Sequence, residues 1–324
     1  VYDGAMGSGG MFVQSMKFIK EHNGNAKNIS VFGQESITTT LRLAKMNLAI
    51  RGISADLGKK AVSTFLDDQH KDLKADFALM NPPFNQKGWR EDNELTDDPR
   101  WKGFATPDVS NANYAWILNM VSKLSQNGVG CLLLANGALS SDGTDYKIRK
   151  ELIEKDLVEA IIVLPMNMFY STDISVTVWV FNKNKKARSA VKNGKTFEYR
   201  DRTGEVLFMD LRQKGTPFEK KYIQFTPEDR KEFVETYHNW QSINKDKLYN
   251  NIKSYCHSAS KQDLIGNDYS LIASKYIEFD SEIEDIDYNS EIKKIQSELK
   301  TILKEEENSR NDLVKVMEEL GYGI

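Results

Sequence analysis

The chain has 324 residues, of which 40% are hydrophobic and 28% charged, and its formal net charge is −3. This composition is typical of a globular protein with one large domain and an appendage. The negative charge argues against a chain that grips the phosphate backbone of DNA by itself. No apolar run approaches a membrane span, and no signal peptide opens the chain. Two cysteines that form no motif and four scattered histidines predict reduced thiols, a cytoplasmic location and no metal site.

The first twelve residues have the pattern of a strand end, a glycine-rich turn and the start of a helix at 9–22. Glycines adopt positive φ and let the backbone pass close to a ligand, while a helix N-terminus offers unpaired N–H groups. Asp3 is expected at the carboxyl end of the strand. Dinucleotide, phosphate and S-adenosylmethionine sites all use such a loop, but no Lys-Ser/Thr pair follows it, which excludes a P-loop.

The next predicted strand, at 29–34, ends near Glu35, about 30 residues after Asp3. A carboxylate at this place in a doubly wound sheet binds ribose. The glycine turn and Glu35 together therefore indicate a ligand that carries a ribose. A helix is predicted at 36–51, directly after this carboxylate.

A predicted strand at 76–80 leads directly into Asn81-Pro82-Pro83-Phe84. The Asn81 amide oxygen and a main-chain carbonyl held by proline can both accept hydrogen bonds from an exocyclic amino group. The ring of Phe84 offers a face on which a heterocycle can stack. This combination suits adenine, although a strand followed by a proline-stiffened turn has the same local pattern.

Further predicted strands at 129–135, 157–163 and 174–181 alternate with predicted helices at 111–127 and 143–155. The alternation predicts an α/β fold, with a doubly wound, mostly parallel sheet that is covered on both faces. The runs 174–181, 195–199 and 206–209 suggest an antiparallel edge.

Past about residue 215 the sequence becomes polar and helical, which predicts a catalytic domain at 1–215 and a C-terminal helical region at 216–324. Thr226 and Pro227 have the pattern of a helix start. In the last part of this region, apolar residues recur at helical spacing and predict a long helix with a narrow apolar seam, either packed on its own domain or paired with a partner helix. The seam comprises Ile292, Ile295, Leu299, Ile302, Leu313, Val316, Met317 and Leu320.

The order of these motifs resembles the modification (M) subunit of a type I restriction-modification enzyme, an S-adenosyl-L-methionine-dependent DNA adenine-N6 methyltransferase. The resemblance covers about the first 185 residues. The segments that carry it are residues 3–12, 32–36, 40–48, 75–76, 81–85, 111–116, 134–140 and 164–170.

The resemblance implies a Rossmann-like methyltransferase fold and a role for each matching residue. Asn81, Pro82, Pro83 and Phe84 would be catalytic, and Phe84 and Phe169 would stack on a flipped-out adenine, with Tyr170 as an alternative to Phe169. The implied partners are DNA, a specificity (S) subunit paired with the terminal helix, a restriction (R) subunit and a second M subunit. The residues expected to bind S-adenosyl-L-methionine are Asp3, Ala5, Gly7, Ser8, Gly9, Gly10, Glu35 and Ser63.

Three positions differ from the family pattern. Gly4 and Met6 replace the usual Pro and Cys, and Ser63 stands where relatives carry an acid that contacts the cofactor's adenine. Relatives also carry a helical domain upstream of the first strand, so we expect a chain whose front is missing. Two alternatives stay open: a protein-glutamine methyltransferase, because a side-chain amide presents the same flat NH2, and a non-catalytic assembly subunit with the same fold.

Overall fold

The computed structural model describes residues 1–170, 173–192, 195–219, 221–243, 248–279 and 288–322. The chain divides into two compact units, Val1–Phe279 and Asp280–Ile324. The first unit is built on a sheet of eight strands, and the second contains one long helix.

Twelve strands and seven α-helices follow each other along the described residues. The strands are β1 (Tyr2–Asp3), β2 (Phe32–Gly33), β3 (Ala75–Met80), β4 (Leu124–Ala135), β5 (Val158–Val163), β6 (Val176–Asn182), β7 (Arg188–Lys192), β8 (Lys195–Tyr199), β9 (Glu205–Asp210), β10 (Thr216–Phe218), β11 (Tyr222–Gln224) and β12 (Cys256–Ser260). The helices are α1 (Gly10–Glu21), α2 (Thr38–Ile50), α3 (Asn113–Lys123), α4 (Gly143–Glu154), α5 (Pro227–Gln241), α6 (Lys261–Gly266) and α7 (Tyr288–Glu319).

The large sheet has the strand order β12-β9-β5-β6-β4-β3-β1-β2. Strands β2, β1, β3 and β4 are parallel neighbours, and β5 and β9 form a second parallel pair. Helices α1, α2 and α3 connect β1 to β2, β2 to β3 and β3 to β4, as parallel neighbours require, whereas β6, β7 and β8 lie between β5 and β9 in the chain. This mixed, mostly parallel arrangement confirms the predicted fold class.

Strand β6 corrects one prediction. The run at 174–181 was expected at an antiparallel edge, whereas β6 lies inside the sheet and is antiparallel to both β4 and β5. Its side chains are buried on both faces, and an edge strand would not need so continuous an apolar run. The runs expected to pair with it lie elsewhere, because β7 and β8 form a separate hairpin and β9 is parallel to β5.

Helix α3 ends four residues earlier than predicted. It stops at Lys123, and the next residue, Leu124, already pairs with Ala75 in the sheet. The ammonium of Lys123 is buried and donates to Asp68 Oδ2 at 2.6 Å and to the His70 carbonyl at 2.5 Å. These contacts tie the helix end to the loop before β3.

The first compact unit extends past the predicted boundary at residue 215, to Phe279. Strand β12 pairs with β9 at the edge of the large sheet, and the fully buried Trp240 of α5 packs in the hydrophobic cluster on one sheet face. Helix α5 begins as predicted, with a capping box in which the Thr226 hydroxyl accepts the Asp229 N–H and the Asp229 carboxylate accepts the Thr226 N–H.

Within the described part of the second unit, residues 288–322, helix α7 is the one α-helix. Seam residues such as Ile295, Ile302 and Leu320 are each more than half exposed. Among the helices that the structure describes, none is long and apolar enough to cross a membrane.

Candidate active site

A cavity of about 480 Å³ opens at the carboxyl ends of β1, β2 and β3, where open α/β sheets bind their ligands. Its volume falls in the range of small-molecule sites. One wall comes from the glycine loop and the start of α2, and the other comes from the segment after β3. The lining residues are Gly4, Ala5, Gly7, Glu35, Ser36, Ile37, Thr40, Ser63, Thr64, Asn81, Pro82, Pro83, Phe84, Gln86, Trp116 and Phe169.

The glycine loop is folded tightly against the segment that follows β2. Gly7 and Gly9 have φ values of 54° and 77°, in the left-handed region that costs glycine little. The Met6 N–H donates to the Gln34 carbonyl at 3.2 Å, and the Gly7 N–H donates to Glu35 Oε2 at 3.1 Å. The two segments therefore hold each other in place at the cavity wall.

Glu35 connects the glycine loop to the start of α2 through hydrogen bonds to both. Its Oε2 accepts from Gly7, and its Oε1 accepts the Ile37 N–H at 2.9 Å just before α2 begins. The Ser36 hydroxyl also donates to Oε1, at 3.3 Å. Because a carboxylate has about four lone-pair positions, these three bonds leave about one position free to accept a further hydrogen bond.

Asp3 lies beneath the loop and is almost fully buried. Its Oδ1 accepts the Ala5 N–H at 2.9 Å. Burial raises the pKa of this carboxyl to about 7, the negative charge of Glu35 adds to the rise, and the Ala5 hydrogen bond opposes it. Asp3 is not among the residues that line the cavity, and its hydrogen bond to Ala5 holds the glycine loop from below.

A second loop, at residues 63–65, closes the wall beside Gly4. The Thr64 hydroxyl donates to the Gly4 carbonyl at 2.5 Å, and the Phe65 N–H donates to Ser63 Oγ at 3.2 Å. A Cβ on Gly4 would lie 2.7 Å from the hydroxyl oxygen of Tyr2. The Tyr2 hydroxyl therefore leaves no room for a side chain at position 4, where the family pattern has Pro.

The segment Asn81-Pro82-Pro83-Phe84 lines the cavity at the end of β3. The Asn81 side chain is exposed and forms no hydrogen bond with any residue that the structure describes. Pro82 is buried, whereas Phe84 is half-buried and packs in the same hydrophobic cluster as Phe169. An amide oxygen and two aromatic rings thus border one space.

A pair of asparagine side chains fixes the end of this segment. Asn85 has a φ of 51°, and its N–H donates to Asn113 Oδ1 at 3.0 Å. In return, Asn113 Nδ2 donates to Asn85 Oδ1 at 2.9 Å. Asn113 is buried in the first turn of α3, and nearby the Trp116 indole N–H donates to Gln86 Oε1 at 3.2 Å. The motif Asn-Ala-Asn at 111–113 was one signal for this contact, but the pairing itself was not predicted.

The predicted site residues divide between the cavity wall and the layer behind it. Ser8 and Gly10 are exposed, whereas Asp3 and Gly9 are buried, and none of these four lines the cavity. Tyr170 does not line it either, because its ring contacts Tyr222 at a centroid distance of 4.6 Å. The predicted residues that line the cavity are Ala5, Gly7, Glu35, Ser63, Asn81, Pro82, Pro83, Phe84 and Phe169.

The chain also matches a known protein family over the residues that form the cavity. Residues 1–285 match the family model described as N-6 DNA methylase. The chain belongs to the N-6 DNA methylase family. The match includes both cavity walls and every strand of the large sheet.

Two proteins similar to this chain are methylase subunits of type I restriction enzymes. The HindI methylase subunit of Haemophilus influenzae is 42% identical over 278 residues, which cover 86% of this chain and 58% of that protein. The MjaIX methylase subunit of Methanocaldococcus jannaschii is 30% identical over 326 residues, which cover 99% of this chain and 56% of that protein. The chain thus spans a little over half the length of these relatives.

Solved structures of similar proteins share the fold. The type I restriction-modification system methyltransferase subunit from Streptococcus thermophilus superposes with a TM-score of 0.71 at 27% identity, covering 86% of this chain and 54% of that chain. The EcoKI M protein superposes with a TM-score of 0.63 at 18% identity, covering 94% of this chain and 68% of that chain. At 18% identity, the likeness to the EcoKI protein shows the fold alone.

Proposed function

We propose that this chain transfers a methyl group from S-adenosyl-L-methionine to N6 of a flipped-out adenine in DNA, as the modification subunit of a type I restriction-modification system. One observation carries the proposal. The glycine loop with Glu35 and the segment Asn81-Pro82-Pro83-Phe84 line the same cavity, so a methyl donor and an amino acceptor can meet there.

The residues of the first wall fit the proposed cofactor. A Cβ on Gly7 would meet no atom within 4 Å, so open space borders the backbone of this cavity-lining residue. Glu35 retains acceptor capacity for ribose hydroxyls. Ser63 has its hydroxyl hydrogen available, because Ser63 Oγ acts as the acceptor towards Phe65. When bound, S-adenosyl-L-methionine would supply an electrophilic methyl group.

The residues of the second wall fit the amino group of adenine. The nitrogen lone pair is delocalised into the ring, and two acceptors on the N–H hydrogens favour a more tetrahedral nitrogen. Asn81 Oδ1 is available, since the side chain makes no hydrogen bond to the described residues, and the Pro82 carbonyl would be the second acceptor. Phe84 and Phe169 would hold the ring from its faces. Alignment of the two reactants would supply much of the rate gain.

The proposed partners follow from the same relatives and from the exposed seam of α7. We propose that DNA is contacted together with an S subunit, that α7 pairs with helices of that subunit, and that an R subunit and a second M subunit complete the complex. The exposed apolar side chains of α7 support pairing with a partner helix, and the net charge of −3 supports DNA contact that is shared with another subunit. A cytoplasmic location agrees with a DNA substrate and with two free cysteines.

The test is transfer of labelled methyl groups to adenine-containing duplex DNA, with and without an S subunit. We expect Asn81→Ala to lose at least 100-fold in methylation rate, a size typical of a removed transition-state hydrogen bond, while cofactor affinity measured by calorimetry stays within about twofold. Asn28→Ala is the matched control, because Asn28 is exposed and does not line the cavity. Retained methylation by Asn81→Ala would refute the mechanism. Methylation of glutamine peptides but not of DNA would favour a protein-glutamine methyltransferase. Methylation of neither substrate would favour a non-catalytic assembly subunit.

A further inference from the structure

Arg100 lies behind the cavity wall and touches the loop at residues 63–65 from its buried side. It belongs to the short 3-10 helix Pro99–Trp101 and is 8% exposed. Its Nη1 donates to the Thr64 carbonyl at 2.7 Å, and its Nη2 donates to the Phe65 carbonyl at 2.6 Å. One guanidinium group therefore holds two consecutive carbonyls of the loop.

Asp98 keeps the guanidinium in this orientation. Its Oδ1 accepts from Nε of Arg100 at 2.8 Å and its Oδ2 accepts from Nη2 at 2.7 Å, a two-point pairing that a lysine cannot form. The Arg100 side chain also packs near the rings of Phe65 and Trp101, with its carbon Cζ 5.9 Å and 5.1 Å from their centroids. Burial raises the pKa of the Asp98 carboxyl, but the bonds from Arg100 outweigh this and lower the pKa below its usual value. Asp98 is therefore charged at neutral pH, as the pairing requires.

The held loop reaches both the cavity and the glycine loop. Ser63 and Thr64 line the cavity, and the Thr64 hydroxyl donates to the Gly4 carbonyl at 2.5 Å. Hydrogen bonds thus run without a break from Asp98 through Arg100 and Thr64 to Gly4. A shift of the guanidinium would move two cavity-lining segments together.

We propose that Arg100 is a positioning residue for cofactor binding, which acts by fixing the backbone of residues 63–65 against the glycine loop. This inference rests on the proposed function, because it takes the cavity as the S-adenosyl-L-methionine site. Ser63 presents a short neutral side chain to the cavity, so its contact with a ligand depends on where the backbone lies. Arg100 itself does not line the cavity. We therefore expect its replacement to change cofactor affinity and not the rate at saturating cofactor.

The test compares Arg100→Lys with Arg149→Lys. Arg149 is the matched control, since it is also buried and also bridges two carbonyls, those of Ser141 and Tyr269, none of which lines the cavity. Calorimetry with S-adenosylhomocysteine is expected to show roughly tenfold weaker binding for Arg100→Lys, the size of one lost charge-assisted hydrogen bond. Arg149→Lys should bind as the wild type does, and kcat at saturating cofactor should change less than about twofold in both variants.

Two further measurements separate positioning from general destabilisation. In the ligand-free protein, amide hydrogen exchange at residues 61–67 should rise in Arg100→Lys and stay unchanged in Arg149→Lys. Thr64→Val removes the hydroxyl bond to Gly4 and replaces Arg100→Lys where that variant folds poorly. Because Thr64 also lines the cavity, weaker S-adenosylhomocysteine binding by Thr64→Val supports positioning only together with a rise in amide hydrogen exchange at residues 61–67 of the ligand-free protein.

Equal affinity in wild type and Arg100→Lys, or an equal loss in Arg149→Lys, would overturn this inference and leave the proposed function standing. A wild-type protein that binds no S-adenosylhomocysteine would overturn both.

Discussion

The buried carboxyl of Asp3 predicts that the ligand-free protein loses stability as the pH rises. The side chain is almost fully buried and accepts one backbone N–H from Ala5, with the charge of Glu35 nearby. Burial raises its pKa from 3.8 to about 7. The folded protein therefore binds the Asp3 proton more tightly than the unfolded chain does, and between these two pKa values stability falls with increasing pH.

The size of the effect follows from the difference between the two pKa values. A shift from 3.8 to about 7 is about three pKa units, and each unit corresponds to about 1.4 kcal/mol. The full cost of ionised Asp3 is then about 4 kcal/mol, reached above pH 7, and roughly 2–3 kcal/mol of it develops between pH 5 and pH 8. Below about pH 3, where the carboxyl is largely protonated in both states, the cost disappears.

Urea unfolding at several pH values between 5 and 8 measures this dependence, with Asp3→Asn as the comparison. Asparagine can still accept the Ala5 N–H but does not titrate. All five tryptophans lie in the first compact unit, so their fluorescence reports the unfolding of the unit that contains Asp3. The free energy of unfolding of wild type minus that of Asp3→Asn should fall by roughly 2–3 kcal/mol across this range. A difference that stays constant within about 0.5 kcal/mol would refute the assigned ionisation.

Two further predictions concern contacts that shape the cavity walls. Asn113→Ala removes both hydrogen bonds to Asn85, so the free energy of unfolding should fall by about 2 kcal/mol. The methylation rate should drop at least tenfold, while the affinity for S-adenosylhomocysteine stays unchanged. A normal methylation rate would contradict the proposed role of this pair. Gly4→Ala puts a Cβ 2.7 Å from the Tyr2 hydroxyl oxygen, which should cost about 1–3 kcal/mol in urea unfolding. Tyr2→Phe in the same chain should recover part of that loss, and a Gly4→Ala protein as stable as wild type would show that the contact is not tight.

The structural features that the sequence predicted correctly are those encoded locally. The strand at 75–80 runs directly into Asn81, so the position of this motif at a strand end follows from neighbours in the chain. The capping box at Thr226 is similarly local, because both of its hydrogen bonds span three residues. Local patterns of this kind fix backbone conformation without reference to distant segments.

The parts that the sequence did not predict depend on contacts between distant segments. Arg100 holds carbonyls 35 and 36 residues away, and no local pattern distinguishes it from an exposed arginine in a polar loop. The interior position of β6 was missed for the same reason, since its neighbours β4 and β5 are chosen by the packing of the whole sheet. The burial of its side chains on both faces, visible as a continuous apolar run, was the usable signal.

Gly4 and Ser63, two of the three positions expected to differ from the family pattern, line the same wall of the cavity. At Gly4 the missing Cβ leaves room for the Tyr2 hydroxyl, and the Gly4 carbonyl is held by Thr64. At Ser63 the hydroxyl accepts a backbone N–H from its own loop, whose carbonyls Arg100 holds from behind. At both positions the residue contributes to the site mainly through the position of its backbone, which hydrogen bonds from Thr64 and Arg100 fix. The polar contacts behind the wall, more than the chemistry of the lining side chains, should therefore set the affinity of this site.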